Sequence, residues 1–255
     1  MSETITKRAA QLSDALLGRT VVVTRAATQN KELTELLLAQ GAKVVELPLI
    51  AIAEPLDNGR RRDELLQRLN EFDWLVVTSP NGAERVSPFL TRSSAPNNRN
   101  GVTKIAVVGE ATARTLGHES DLVASPARAT QLVHQFPAGS GSVLLVQGDL
   151  ANTEVADGLT NLGWHVTSVV AYRTTHVRPS PDKMLPALAA DILLLASSSA
   201  VLAWFDVFGA STPPIVICLG APTSSAALAR GLSVTATASE PNMKAFVRAV
   251  VEACQ

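Results

Sequence analysis

Small polar residues recur where the predicted strands of this chain end, and these positions are well suited to ligand binding. Such side chains let a ligand approach backbone N–H groups at helix N-termini, where the helix dipole favours a carboxylate or a phosphate. In an open α/β sheet, the loops after the strands face the ligand crevice. The pattern therefore indicates an anionic ligand. It occurs at Thr24 and Arg25, Thr78–Asn81, Gly109–Thr112, Gln147–Asp149, Ser197–Ser199 and Gly220–Ser224.

The same residues have a simpler interpretation, because Ser, Thr, Asn and Gly are the usual N-cap residues of helices. For any single loop, N-capping is the more economical explanation. Six such loops on two similar halves of the chain favour a shared ligand cleft.

Motifs with a defined chemistry are absent from the sequence. There is no GxxxxGK[ST] phosphate loop, GxSxG nucleophile elbow, HExxH zinc helix or EF-hand loop. The GSG at Gly139–Gly141 lacks the third glycine and the preceding strand of a dinucleotide fingerprint. The four histidines share no ligand spacing. The sequence therefore supports neither a nucleotide nor a metal.

Short β-branched or leucine-rich runs alternate with Ala-, Leu- and Arg-rich stretches of helical period. This alternation is typical of βα units that build a parallel sheet, and it predicts an α/β fold. Helices are predicted to start near Asn30, Gly82, Ala111, Glu154, Ala200, Ser224 and Asn242. The predicted strands are Thr20–Val23, Lys43–Leu47, Trp74–Val77, Lys104–Val108, Val143–Val146, His165–Val169, Ile192–Leu195, Ile215–Leu219 and Ser233–Thr235.

Two halves of the chain resemble each other in three consecutive segments. The alignment pairs Gly41 with Gly163, then Ser79 with Ser197, and finally Thr112 with Thr223. A duplication explains why the segments recur in the same order. Ordinary α/β regularity is the alternative. The paired segments begin at Gly18 and Gly141, at Asp73 and Asp191, and at Val107 and Cys218.

Composition narrows the class of protein. The chain has 255 residues, enough for one large or two smaller domains with their own cores. Lys and Arg (22) balance Asp and Glu (23), so no overall basic field attracts nucleic acid or an anionic membrane. Cys218 and Cys254 lie far apart, which supports neither a disulfide framework nor a zinc site and fits a reducing compartment.

Targeting signals are not evident in the sequence. The first residues lack the apolar stretch of a signal peptide. No segment contains about 18 uncharged apolar residues in a row, as a membrane span requires. We therefore expect a cytoplasmic protein that does not enter a membrane.

A series of segments from about Gly18 to Val251, nearly the whole chain, carries a family resemblance. The segments are VVVTRA with LLLAQGAKVVELPLI, DWLVVTSPNGAERV, IAVVGEATARTLG, VLLVQGD, the VVAYRT at Val169–Thr174, and LGAPTSSAALARGL followed by ATASEPNMKAFVRAV. Their order, their spacing and the YRT between the halves make the set specific. Taken together, they resemble the uroporphyrinogen-III synthase family.

The resemblance implies two similar α/β domains with parallel sheets, joined by two extended connections. Here the connections would lie near Leu47–Ile52 and Ala171–His176. The first domain would span residues 1–49 and 174–255, and the second would span residues 50–173. The same arrangement would place Tyr172 and Arg173 beside the cleft rather than inside a sheet.

Enzymes of this family act on hydroxymethylbilane, a linear tetrapyrrole with acetate and propionate side chains. They eliminate its terminal hydroxyl as water and close the macrocycle to uroporphyrinogen III with inversion of ring D, without a cofactor. The resemblance thus implies a lyase (hydro-lyase) of porphyrin, tetrapyrrole and haem biosynthesis. Much of the catalysis would be orientation of a flexible polycarboxylate.

The resemblance also assigns a catalytic candidate, Tyr172, which is the only tyrosine of the chain. A phenol is protonated at neutral pH and can donate a proton to the departing hydroxyl. The alternative role for Tyr172 is packing between the domains.

Seven further residues form the expected substrate-binding set. Arg25 would pair with a substrate carboxylate, or form a surface salt bridge instead. Thr112 and Thr223 would offer hydroxyls, with capping alone as the alternative. Family members often have consecutive threonines where this chain has Pro222–Thr223–Ser224, and many have proline at the position of Ser198. The set is Arg25, Ser79, Thr112, Gln147, Gly148, Ser197 and Thr223.

Two other functions fit parts of the pattern. A two-lobed cytoplasmic binding or sensor protein for an anionic small molecule would also have two similar α/β halves. A nucleotide-dependent enzyme with a divergent Rossmann domain would need the phosphate loop that the sequence lacks. The favoured interpretation is a monomer whose partner is hydroxymethylbilane and which binds no nucleic acid.

Overall fold

The computed structural model of the chain describes residues 14–90 and 103–255. Their strands are β1 (Thr20–Val23), β2 (Lys43–Glu46), β3 (Ile50–Ala53), β4 (Trp74–Val77), β5 (Lys104–Val108), β6 (Leu122–Ala124), β7 (Ser142–Gly148), β8 (His165–His176), β9 (Ile192–Leu195), β10 (Ile215–Cys218) and β11 (Ala236–Thr237). Their α-helices are α1 (Lys31–Leu38), α2 (Arg60–Gln67), α3 (Pro80–Leu90), α4 (Gly109–Leu116), α5 (Ala129–Gln135), α6 (Glu154–Asn161), α7 (Pro181–Leu188), α8 (Ser198–Phe208), α9 (Ala221–Ala229) and α10 (Met243–Ala253).

The chain divides into two compact units, and the divisions fall within β3 and β8. The first unit is Met1–Ala51 with Thr175–Gln255, and the second unit is Ile52–Thr174. Each unit alternates strands with helices around a sheet of mainly parallel strands, so the predicted α/β class with parallel sheets is confirmed.

The sheet of the first unit has the strand order β11-β10-β9-β1-β2, and its described pairs are parallel. Val22 of β1 pairs with Val45 of β2 on one side and with Leu193 of β9 on the other. The central strands are buried on both faces, as parallel strands between helices require. Phe246 of α10 is fully buried in the core of this unit.

The sheet of the second unit has the strand order β3-β8-β7-β4-β5-β6. Val76 of β4 pairs with Leu145 of β7, and both belong to a core cluster on one face. Leu75 and Leu144, one position earlier on each strand, belong to the cluster on the other face. This alternation follows from the two-residue period of a strand.

The two segments in which the chain passes between the units pair with each other. β3 and β8 are neighbours in the second sheet. The Val177 N–H donates to Leu49 O at 2.8 Å, and the Thr175 hydroxyl donates to Ala51 O at 3.3 Å. Residue numbers rise along one segment while they fall along the other, so the two segments run antiparallel.

The prediction that Tyr172 and Arg173 lie outside a sheet is wrong. β8 continues through both residues, and Tyr172 pairs with Gly148 of β7. An extended segment must satisfy its backbone N–H and C=O groups, and here the Asp149 N–H donates to Tyr172 O at 3.1 Å. The segment predicted to be a connection is the second half of a long strand.

The last predicted strand, Ser233–Thr235, is also wrong, because the strand there is Ala236–Thr237. Thr235 bonds the neighbouring strand with its side chain as well as its backbone. Its N–H donates to Val216 O, and its hydroxyl accepts from Val216 N–H.

All seven predicted helices are present, whereas β3, β6, α2, α5 and α7 lie outside the predicted elements.

Two aspartates make the same cross-strand contact in the two halves of the chain. Asp73 directly precedes β4 and accepts from the N–H of Ser142, the first residue of β7, at 2.7 Å. Asp191 directly precedes β9 and accepts from the N–H of Thr20, the first residue of β1, at 2.8 Å. The alignment of the two halves pairs these aspartates and their partner strands, so the shared contact supports the duplication.

Candidate functional site

Tyr172 lies near the carboxyl end of the second unit's sheet, in β8. It is half-buried and packs against the core cluster of that unit. The strand register shifts between Gln147 and Gly148 of β7, which brings Gly148 opposite Tyr172. The Thr174 N–H donates to Asp149 Oδ1 at 3.0 Å and fastens the end of β8 to the loop after β7.

Gly148 lies against the ring of Tyr172. A Cβ built on Gly148 would lie 2.7 Å from Cζ, 2.8 Å from Oη and 2.9 Å from Cε2 of that ring. Real Cβ atoms do not make such short contacts, so no larger residue fits without moving the phenol. Among the described residues, none forms a hydrogen bond with the Tyr172 hydroxyl.

The other predicted residues of the second unit follow the neighbouring strands. Ser79 comes after β4 and caps α3, where its Oγ accepts from Gly82 N–H at 3.2 Å. Thr112 lies in α4, after β5, and is 1% exposed; its hydroxyl donates to Val108 O at 2.8 Å. Gln147 has a buried Oε1 with no hydrogen-bond partner in the described structure. The strand order therefore brings all five candidates of this unit to one edge of the sheet.

The first unit has a similar edge, formed by the ends of β1, β9 and β10. Ser197 follows β9 and caps α8, where its Oγ accepts from Ala200 N–H at 3.2 Å. Thr223 lies in the first turn of α9, is 5% exposed, and its hydroxyl forms no hydrogen bond with a side chain or backbone group of the described residues. The Ser198 hydroxyl donates to Pro222 O at 3.2 Å and so ties the two loops together.

Arg25 follows β1 at the same edge of the first unit. Its Nη1 makes a weak contact of 3.7 Å with Met243 Sδ, and its buried Nε has no hydrogen-bond partner among the described residues. Burial lowers the pKa of the Arg25 guanidinium, and the negative charge of Glu32 opposes that shift. A buried N–H without an acceptor costs free energy that an anionic ligand would recover.

Sequence reasoning missed two polar groups. Asn30 precedes α1 but does not cap it; its side chain is 1% exposed, and neither amide atom has a partner in the described structure. Arg62 of α2 is buried and donates to Glu54, Asp63 and the backbone oxygen of Ala171. The run of arginines at 60–62 did not indicate a buried residue, because a run of charged residues normally forms a solvated face of a helix.

The two cysteines are free thiols. Burial raises the pKa of the Cys218 thiol to about 11, so it is protonated at neutral pH and is a poor nucleophile. Within residues 14–90 and 103–255, no three His, Cys, Asp or Glu side chains cluster in a way that could hold a metal ion.

Comparison with known sequences gives consistent matches. Residues 31–248 match the sequence model of the family described as Uroporphyrinogen-III synthase HemD. The chloroplastic uroporphyrinogen-III synthase of Oryza sativa subsp. japonica is 31% identical over 248 residues, 91% of this chain and 80% of that relative. The uroporphyrinogen-III synthase of Synechococcus elongatus is 31% identical over 179 residues, 68% of this chain and 67% of that relative.

Comparison with solved structures matches the fold. A mutant uroporphyrinogen III synthase from the extremely thermophilic bacterium Thermus thermophilus has a TM-score of 0.62 and 17% identity, covering 92% of this chain and 98% of that chain. The uroporphyrinogen-III synthetase of Helicobacter pylori 26695 has a TM-score of 0.55 and 18% identity, with the same coverage.

None of the described helices is long and apolar enough to cross a bilayer.

Proposed function

The chain belongs to the uroporphyrinogen-III synthase family, and from that premise we propose that it is a cofactor-independent lyase that closes hydroxymethylbilane to uroporphyrinogen III. The reaction removes one hydroxyl and one proton as water and forms a carbon–carbon bond. No atom changes its oxidation state through an outside agent, so the chemistry requires no redox partner. The substrate is a small molecule, in agreement with the relatives' names.

We propose Tyr172 as the proton donor to the departing hydroxyl. The observation that carries this assignment is its position: a phenol without a hydrogen-bond partner among described residues, held against Gly148 at the carboxyl edge of the sheet. Protonation turns hydroxide into water as the leaving group and allows the electron-rich terminal pyrrole to form an azafulvene. A positioned acid of this kind contributes roughly 10²- to 10⁴-fold to a rate.

We propose that the loops at the carboxyl ends of the strands bind the acetate and propionate groups of the substrate. Helices α3, α4, α8 and α9 begin in these loops, so their first N–H groups point toward the sheet edge and favour anions. Ser79 and Ser197 fix the helix starts by capping them. Gly148 exposes its backbone, and Gln147 offers an amide oxygen. Arg25 supplies a charged donor, and Thr223 supplies a hydroxyl.

Thr112 differs from Thr223, its partner in the aligned halves. Its hydroxyl proton is engaged by Val108 O, so it can only accept a hydrogen bond from a ligand. Carboxylates are acceptors themselves when ionised, and two acceptors do not pair. We therefore assign the larger share of carboxylate binding to Thr223.

We further propose that the two compact units are the two domains of the enzyme, with boundaries near residues 49 and 174. The divisions at Ala51 and Thr174 support this assignment. We also propose that it acts as a monomer in the cytoplasm. The balanced charge of the chain fits a small-molecule substrate, hydroxymethylbilane, rather than nucleic acid.

Freshly generated hydroxymethylbilane tests the proposal. The enzyme is expected to yield the inverted isomer, uroporphyrinogen III, faster than the bilane closes without protein. A binding or sensor protein would protect or sequester the bilane but leave the non-inverted isomer as the product. Formation of only that isomer at the spontaneous rate would refute the proposed activity.

A further inference from the structure

The ring of Tyr172 has a charged neighbour that the reaction does not by itself require. The Cζ atom of Arg85, on α3, lies 5.7 Å from the centroid of the Tyr172 ring, within the range of a cation–π contact. The Arg85 side chain is 16% exposed. Its position is therefore set by the protein rather than by solvent.

Arg85 donates hydrogen bonds to two oxygen atoms, and Glu84 Oε2 lies 3.9 Å from its Nη1. Its Nε donates to Glu54 Oε1 at 3.0 Å, and its Nη1 donates to the backbone oxygen of Asn81, one turn earlier in α3, at 3.1 Å. The flat guanidinium can satisfy both acceptors only in a narrow range of orientations. Glu54 follows β3 and is the link to the rest of the cluster.

Glu54 is held in turn by Arg62. Arg62 Nη1 donates to Glu54 Oε2 at 2.7 Å and to Ala171 O at 2.9 Å. Burial alone would lower the pKa of Arg62, but its bonds to Asp63 and Glu54 outweigh burial and raise it. Ala171 directly precedes Tyr172 in β8. The series of contacts therefore starts at the backbone oxygen of Ala171 and ends at the ring of the next residue, Tyr172.

Two further features favour this arrangement. Arg173 Nε donates to the backbone oxygen of Glu54 at 3.1 Å, so both neighbours of Tyr172 are bonded into the cluster. Gly59 has φ +79°, and a Cβ there would overlap the guanidinium of Arg62. The Arg62–Glu54 ion pair adds little stability by itself, because the Glu54 side chain is 44% exposed and solvent screens the attraction. The ion pair contributes here by fixing the geometry of the cluster around Arg85.

We propose that Arg85 is a positioning residue that sets the orientation of the Tyr172 ring, with Glu54 and Arg62 holding Arg85 in place. The inference rests on the proposed role of Tyr172 in the reaction and adds the device that places its phenol. In this role Arg85 acts on the reaction through the ring, so its loss is expected to lower kcat rather than raise KM.

The orientation of the ring can be measured without the reaction. Because Tyr172 is the only tyrosine, protein grown with 3-fluorotyrosine gives a ¹⁹F signal from one residue. The Arg85→Met variant removes the charge and keeps an unbranched side chain, and its ¹⁹F signal is expected to shift and change width. The matched control is Arg68→Met, because Arg68 also pairs with a glutamate, Glu71, but is exposed and has no contact with Tyr172. Its spectrum is expected to match that of the wild type.

Kinetics with hydroxymethylbilane complete the test. Arg85→Met is expected to lower kcat about fivefold with KM unchanged, the scale of one cation–π contact, and Arg85→Lys to recover part of the loss. In the Tyr172→Phe background, Arg85→Met is expected to cause no further loss of kcat. If Arg85→Met does not fold, Arg85→Lys carries the test, because lysine cannot hold both Glu54 and Asn81 with a planar fork.

The outcomes separate the two proposals. An unchanged ¹⁹F spectrum in folded Arg85→Met or Arg85→Lys protein overturns the inference, and so does a loss confined to KM. Wild-type turnover by Tyr172→Phe would remove Tyr172 from the mechanism. A shifted ¹⁹F signal in Arg85→Met would still support Arg85 as the residue that sets the orientation of the Tyr172 ring.

Discussion

The backbone of Gly148 lies against the phenol of Tyr172, so closely that a single methyl group on Gly148 would overlap the ring. The two residues pair across β7 and β8, directly after a shift in strand register. A glycine at this position therefore lets the phenol lie on the backbone at the edge of the sheet.

Gly148→Ala should displace the Tyr172 ring and lower kcat while the protein still folds. The added methyl costs about 1–3 kcal/mol of stability, the usual range for overpacking. Turnover of hydroxymethylbilane and thermal unfolding measure the two effects.

Gly158→Ala is the matched control for this variant. A Cβ at Gly158 would lie 2.5 Å from Val133 Cγ1, so it also overpacks the second unit, but away from Tyr172. We expect a similar loss of stability with kcat retained below the unfolding transition. Equal losses of kcat in both variants would show that general destabilisation, and not the ring, explains the result.

Thr223→Val and Thr112→Val should separate binding from structure. Thr223→Val removes a hydroxyl that has no partner in the described structure, so we expect KM to rise about fivefold, the value of one hydrogen bond. Thr112→Val removes the hydroxyl that donates to Val108 O and should cost about 1 kcal/mol of stability with little change in KM. Steady-state kinetics and denaturant unfolding check the pair, and the opposite pattern would contradict the assignment.

Arg25→Met should weaken substrate binding without weakening the fold. The guanidinium is held in a costly environment, with a lowered pKa and an unsatisfied Nε, so its removal is expected to leave the unfolding temperature equal or higher. A charged hydrogen bond to a carboxylate is worth about 1.5–3 kcal/mol, so KM should rise about tenfold or more.

Arg19→Met provides the comparison for Arg25, since Arg19 is exposed and pairs with Asp191 in the same unit. Its KM is expected to equal that of the wild type. A rise of KM in both variants would mean that overall charge, not the position of Arg25, governs binding.

Asp191→Asn should lower stability in a pH-dependent way. The hydrogen bond from Thr20 N–H, with a smaller contribution from Arg19, holds the pKa of Asp191 below its ordinary value of 3.8. A depressed carboxyl pKa stabilises the fold at pH values above 3.8, and this contribution is lost as the pH falls through the folded-state pKa. Thermal unfolding of wild type and variant should therefore differ at about pH 7, and the difference should shrink as the pH falls below 3.8. A difference that grows with acidity would contradict this prediction.

Much of the fold was predictable because its core strands are distinctive in sequence. Trp74–Val77 and Ile192–Leu195 are short apolar runs, and such runs suit strands that are buried on both faces. α2 was missed because RRRDELLQ has a polar composition, and the burial of Arg62 depends on Glu54 and Ala171 O, which only the fold brings near. The matching contacts of Asp73 and Asp191 support a duplication of the two halves. The sequence alone left ordinary α/β regularity as an alternative explanation.

The candidate site was predictable in its members but not in their contacts. Tyr172 was singled out by family resemblance, and Gly148 by its place after a strand. Their contact depends on the register between β7 and β8, which no local sequence signal specifies. The hydroxyls of Thr112 and Thr223 were equivalent in sequence, and only the structure shows that one of them is engaged.

Turnover of freshly generated hydroxymethylbilane by Tyr172→Phe, with the uroporphyrinogen isomers resolved, is the decisive test of Tyr172 as the proton donor. We expect kcat to fall by about 10²-fold, the low end for loss of a general acid. The remaining product should still be the inverted isomer, because the loops that bind its carboxylates continue to orient the bilane. Wild-type kcat in a correctly folded variant would rule out Tyr172 as the proton donor.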